Sequence, residues 1–160
     1  MVKHHESEGH GGRELIDALG HQGLQEVYGE VPEGAPDPKR TSLVATGGFA
    51  QPTVTVHHTD PAARDRVDAL WHQEADRMSI LDRNREFLLL ATYPGSLTRG
   101  WIRVRDSLGT RVPSRIAAAT GSRDFIAVSL DGKSLCAVSV EEYEDWIITH
   151  SFEGDGPTGR

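Results

Sequence analysis

This chain has a single cysteine, Cys136, so no internal disulfide can form. A secreted disulfide scaffold is thereby excluded, and a reducing cytoplasm is compatible. Long apolar runs are missing too: the longest, Phe87–Ala91, has the length of a buried strand, far short of the roughly 18–20 residues that span a bilayer. Residues 1–12 carry no apolar segment of the kind found in secretory signals. A cytoplasmic protein with no membrane partner is expected. Lysine is scarce, at Lys3, Lys39 and Lys133 only, which leaves 14 arginines among 17 basic residues. With abundant Ala, Gly and Asp, this resembles the codon bias of a GC-rich bacterium, the origin expected here, and it weakens any claim that an individual Arg was selected for its chemistry.

The 160 residues fit one domain and can bury a core without disulfides or a structural metal. Acidic residues outnumber basic ones 24 to 17, a formal net charge of −7, which opposes non-specific attraction to nucleic acid or anionic membranes.

The patterning is clearest near the C-terminus. FIAVSL and SLCAVSV flank Asp131-Gly132-Lys133, and Asp-Gly between alternating apolar segments signals a hairpin. WIITHSF follows after an acidic break, completing a β-meander. Upstream, Leu15, Ile16, Leu19, Leu24 and Val27 recur at helical spacing, giving a helix that Gly20 and Gly23 can divide. TSLVAT (41–46) and TVTVHH (53–58) read as short strands, and Asp60-Pro61 as a helix start. Val67, Leu70, Trp71, Ala75, Met78 and Leu81 then mark one face of a long helix. Arg64, Asp68 and His72 fall on another face, which predicts solvent exposure. Phe87–Thr92 and Trp101–Arg105 read as strands, and Arg111–Ala118 as a further one, confined by Pro113 to an edge. The expected fold is α+β: a mainly antiparallel twisted sheet packed by the one long amphipathic helix, with an N-terminal helix. Residues 1–12 are expected as a disordered tail, 13–152 as the domain and 153–160 as a flexible tail.

Catalytic signatures are absent. AVSLDGKS (127–134) satisfies a loose phosphate-loop pattern, but a strand-like segment follows where a helix would have to begin. No G-x-S-x-G elbow occurs. His57 and His58 are strand neighbours that point to opposite faces, and no metal-ligand spacing accompanies them. His4, His5 and His10 lie in the expected tail, which would not hold coordination geometry. No metal or cofactor is expected.

Two functions from different classes remain. The first is a non-enzymatic protein-interaction module of the bacterial cytoplasm, an accessory, regulatory or immunity-type protein. Its surface would be the acidic knot with Tyr143, Glu144, Asp145 and Trp146, together with the Trp101, Arg103 and Arg105 stripe. That stripe is also the minimum for a single-strand nucleic-acid platform, which the net charge disfavours. Its partner would be a protein of basic surface or a second copy. The second is a curved-sheet domain holding a small molecule, an acid/base enzyme with His58 or His150 as the base and Asp60 orienting it.

Overall fold

The computed structural model describes residues 2–29, 31–46, 50–92 and 96–152. From the N-terminus the elements are α1 (Val2–His21), β1 (Leu24–Glu26), α2 (Pro38–Thr46), β2 (Val54–His57), α3 (Ala63–Arg77) and β3 (Glu86–Ala91). There follow α4 (Ser96–Arg99), β4 (Ile102–Asp106), α5 (Val112–Thr120), β5 (Phe125–Val128), β6 (Ser134–Val140) and β7 (Glu144–Ser151). The strands form one seven-stranded sheet in the order β1-β4-β3-β5-β6-β7-β2, antiparallel at every step. The protein is α+β, and no helix among the described residues is long and apolar enough to cross a membrane.

Period-2 alternation decides which side chain enters which layer. On one face Phe87, Leu89, Val104, Phe125, Ala127, Cys136, Val138 and Ile147 meet Leu15 and Leu19 of α1, Val67, Trp71 and Ala75 of α3, and Val112 and Ile116 of α5. The long helix therefore shares its face with two others. On the opposite face Leu88, Leu90, Ile126, Val128, Leu135, Ala137 and Ile148 are covered by Ala45 of α2, Trp101 and flanking loop residues. Burial on both faces explains why β3 reads as an unbroken apolar run. Cys136 lies inside the first layer, where burial pushes its thiol far above the ordinary value and leaves it an inert apolar group.

The β5–β6 turn is the hairpin that Asp-Gly signals. Gly132 takes φ 75°, and a Cβ there would lie 2.0 Å from the Gly34 carbonyl oxygen, so the residue serves both the turn and a close approach of the 31–37 loop. Asp131 accepts hydrogen bonds from Ser129 Oγ (2.6 Å) and the Lys133 N–H (3.0 Å), which hold its carboxyl below the usual value.

Four local expectations are corrected. Residues 41–46 are helical, not a strand: Asp37 Oδ2 accepts the Arg40 N–H at 3.1 Å and Pro38 opens α2, the same Asp-Pro start signal found at residues 60–61. Residues 112–120 form α5, not an edge strand, because Pro113 occupies its first turn and Gly121 (φ 80°) closes it. Leu24–Glu26 leaves the helical pattern to pair with β4. Residues 2–12 belong to α1 and not to an irregular tail: once Leu15 and Leu19 anchor the helix, each further residue adds a hydrogen bond without a new nucleation cost. The C-terminal segment 153–160 lies outside the described residues.

Candidate functional site

The residues singled out by sequence meet at one end of the sheet. β6 and β7 turn through 141–144, closed by the Glu141 N–H donating to the Glu144 carbonyl at 2.8 Å. Beside them β2 ends at His57, opposite Glu144, and the His58 N–H donates to the Tyr143 carbonyl at 2.9 Å. Tyr143 is 65% exposed at this tip. Glu142 is exposed, and Glu144 accepts the indole N–H of Trp146 at 2.8 Å. Trp146 itself rests half-buried against the second core layer, so Tyr143 is the open aromatic of this tip.

Asp145 points into the sheet rather than to solvent. It is 4% exposed, and its Oδ1 faces His58 Nε2 at 2.8 Å. Arg123 grips the same carboxylate as a fork, Nη2 to Oδ1 at 3.0 Å and Nε to Oδ2 at 3.2 Å. This pairing holds the Arg123 guanidinium more firmly protonated than usual. Neither Asp145 as the partner of His58 nor Arg123 as a site residue is readable locally, since they stand 87 and 65 positions from His58. Asp60, expected to orient His58, instead accepts the Ala62 N–H at 2.9 Å and pairs with Arg66 at 3.3 Å, which forms the turn into α3. His150 is excluded from the group: it pairs with Leu135 at the far end of β7, and its ring stacks edge-on with Phe152 at 4.7 Å on the opposite face.

Two clefts adjoin the Asp145 group. One of about 510 Å³ is lined by His58, Asp60, Arg64, Asp65, Arg123 and Asp145. The other, about 420 Å³, shares Arg64, Arg123 and Asp145 and adds apolar walls from Val67, Pro113, Ala117, Val138 and Val140. A larger cleft of about 600 Å³ lies along α3 beside Asp68, His72, Asp76, Arg85 and Arg111. Its most interior polar groups are committed to structure. Asp68, expected on a wet face, is 5% exposed and accepts the Ser114 N–H (2.9 Å) and Oγ–H (2.6 Å), while His72 Nε2 accepts the Val112 N–H at 3.2 Å. Burial, the dominant influence, lowers the His72 pKa and keeps the ring in the neutral, accepting form. Among the described residues, no three of His, Cys, Asp and Glu converge as metal ligands would.

The Trp101–Arg105 stripe does not form an open basic platform. Trp101 is 8% exposed, and its indole N–H donates to the Pro36 carbonyl at 2.8 Å. Arg103 and Arg105 both close on the buried Glu86, at 2.8 and 2.7 Å. The hydrogen bond from Arg105 is the main influence holding the Glu86 carboxyl below its ordinary value of 4.5, with Arg103 adding to it against burial. A carboxyl lowered in the folded state stabilises the fold above its unfolded value, and that stability drains away as pH falls through the folded value. Glu86→Gln is therefore expected to be less stable than wild type at pH 7, with the gap narrowing below about pH 4.5. Melting temperatures of both proteins from pH 7 to 2.5 measure this; a gap that stays constant with pH would contradict it.

No protein-family model, no curated protein and no solved structure matches the chain.

Proposed function

We propose that the protein is a non-enzymatic interaction module of the bacterial cytoplasm, of the accessory, regulatory or immunity type, and that it docks through the β6–β7 tip onto a basic protein surface. The observation that carries this is Tyr143, 65% exposed on a turn fixed from both sides by the β2 end and the Asp145 clasp. A large aromatic on a fixed backbone has only two side-chain torsions to order on binding, which helps make Tyr a frequent hot spot. Glu141, Glu142 and Glu144 surround it, and the chain as a whole is acidic at −7. Carboxylates at the rim steer a basic partner inward, and an Arg guanidinium can then stack on the phenol ring. Arg103 and Arg105, closed on Glu86, contribute little to such a surface.

An immobilised arginine-rich polypeptide serves as the stand-in partner. Tyr143→Ala is expected to weaken its binding about 30-fold, which corresponds to ~2 kcal/mol for a hot-spot residue. The melting temperature should stay within about 1 °C of wild type, because the side chain supports nothing beneath it. Glu142→Gln should slow association and flatten its salt dependence. Unchanged affinity in Tyr143→Ala would remove the proposal.

A further inference from the structure

We propose that the paired clefts beside His58 bind a small molecule with an oxyanion head and an apolar body, and that His58 is the group that exchanges a proton with it. The site shares Asp145 and the His58 backbone with the base of the hairpin tip, while Tyr143 lines neither cleft.

The imidazole is set for that task by its neighbours. Asp145 accepts the fork of Arg123 and so can only accept from His58 as well, which places the hydrogen on Nε2 across the 2.8 Å contact. Nδ1 is left with its lone pair, and among the described residues it has no bonded partner. The His58 side chain is 31% exposed where it lines the 510 Å³ cleft. A buried carboxylate behind a half-open imidazole fixes its tautomer and leaves Nδ1 as the acceptor. The step balances without a co-reactant: a hydroxyl on the bound molecule, or a water it holds, gives its proton to Nδ1 and later recovers it. Asp145 and Arg123 are positioning residues in this scheme.

The ligand class follows from which hydrogen-bonding groups are taken. Asp60 faces Ala62 and Arg66, Asp65 lies 3.5 Å from Arg111, Asp68 accepts from Ser114, Asp145 faces His58 and Arg123, and Asp124 accepts the Val140 N–H at 2.7 Å. Arg64 lines both clefts, and its guanidinium has no partner among the described residues. Each carboxylate lining the clefts thus has a partner while, among the described residues, the Arg64 guanidinium has none, which suits a carboxylate or phosphate group there. The Val138 and Val140 wall of the second cleft receives the apolar remainder.

Phenyl phosphate and inorganic phosphate, titrated at constant pH and ionic strength, are the probes, read by the imidazole resonances of His58. His57, exposed and held by Thr59 Oγ1 at 2.7 Å, is the internal control. Phenyl phosphate should shift His58 saturably and more tightly than inorganic phosphate, with His57 unmoved. Arg64→Gln, an exposed substitution that leaves the fold intact, should weaken the response at least tenfold. Absence of a saturable shift, equal movement of His57, or an undiminished response in Arg64→Gln would overturn the proposal and leave the His58–Asp145–Arg123 group as a clasp on the edge strand β2.

Discussion

Asp106→Ala is expected to cost about 3–5 kcal/mol of stability, the range seen when one partner of a buried ion pair is removed. Asp106 is fully buried, and the Arg115 side chain that faces it is 10% exposed, with Nη2 to Oδ1 at 2.8 Å. The remaining guanidinium donors go to carbonyls, Nη1 to Gln22 at 2.9 Å and Nε to Thr110 at 2.8 Å. Asp106 also accepts the N–H groups of Leu108 (3.1 Å) and Gly109 (3.0 Å), so it folds the 106–111 turn as well as neutralising the cation. Its removal leaves a buried charge compensated only by dipoles, together with two N–H groups lacking acceptors. One arginine here joins the end of α1, the turn after β4 and the start of α5. Urea unfolding of the variant measures the loss. Adding Arg115→Met should restore a substantial part of it, because an apolar side chain removes the unpaired charge. A single-variant cost below about 1 kcal/mol would show that the pair is not structurally central.

Trp71→Ala is expected to cost about 3–5 kcal/mol for a different reason, the cavity it opens. Trp71 is fully buried between α3 and the sheet, with ring centroids 6.3 Å from Phe87, 5.6 Å from Phe125 and 5.1 Å from His72. Its N–H donates to the Cys136 carbonyl at 3.2 Å, so the indole also satisfies a polar group inside the sheet layer. For a domain of this size each kcal/mol shifts the melting temperature by roughly 2–4 °C, which gives a fall of about 6–20 °C by calorimetry. Trp71→Phe keeps most of the volume and loses mainly the hydrogen bond, about 1 kcal/mol. Equal losses in the two variants would place the value of Trp71 in its N–H rather than in its volume.

These residues also show where sequence is informative and where it is not. β2, β3, β4, α3 and the β5–β6–β7 run were legible because alternation, helical spacing and Asp-Gly turn chemistry all act within a few positions. The segment that became α5 carried valine, proline and arginine, and locally resembles an edge strand. Pro113 and Gly121 suit the two ends of a helix, and α3 secures its start, where Asp68 and His72 accept the N–H groups of Ser114 and Val112 across 46 and 40 residues. The same contacts draw Asp68 and His72 off the wet face that their spacing predicts. At α2 the start signal, Asp37-Pro38, was present, but the β-prone TSLVAT after it dominated the pattern. At the candidate site, His58 was found by its place at a strand end, and Asp60 was assigned to it because it is close in sequence. The carboxylate that reaches it, Asp145, arrives through the β2–β7 pairing. Trp101 was placed with Arg103 and Arg105 on one face, but the 31–37 loop that covers it, through the Pro36 carbonyl, gives no local sign of doing so.

The end of the sheet bearing the β6–β7 tip is proposed as the surface that meets a basic partner. Backbone amide shifts of the full chain, followed while the arginine-rich polypeptide is added, test it residue by residue. Saturable changes concentrated at residues 57–60 and 141–146, absent in Tyr143→Ala, are the expected result. Changes centred on the 600 Å³ cleft along α3, or spread evenly over the acidic surface, would contradict it.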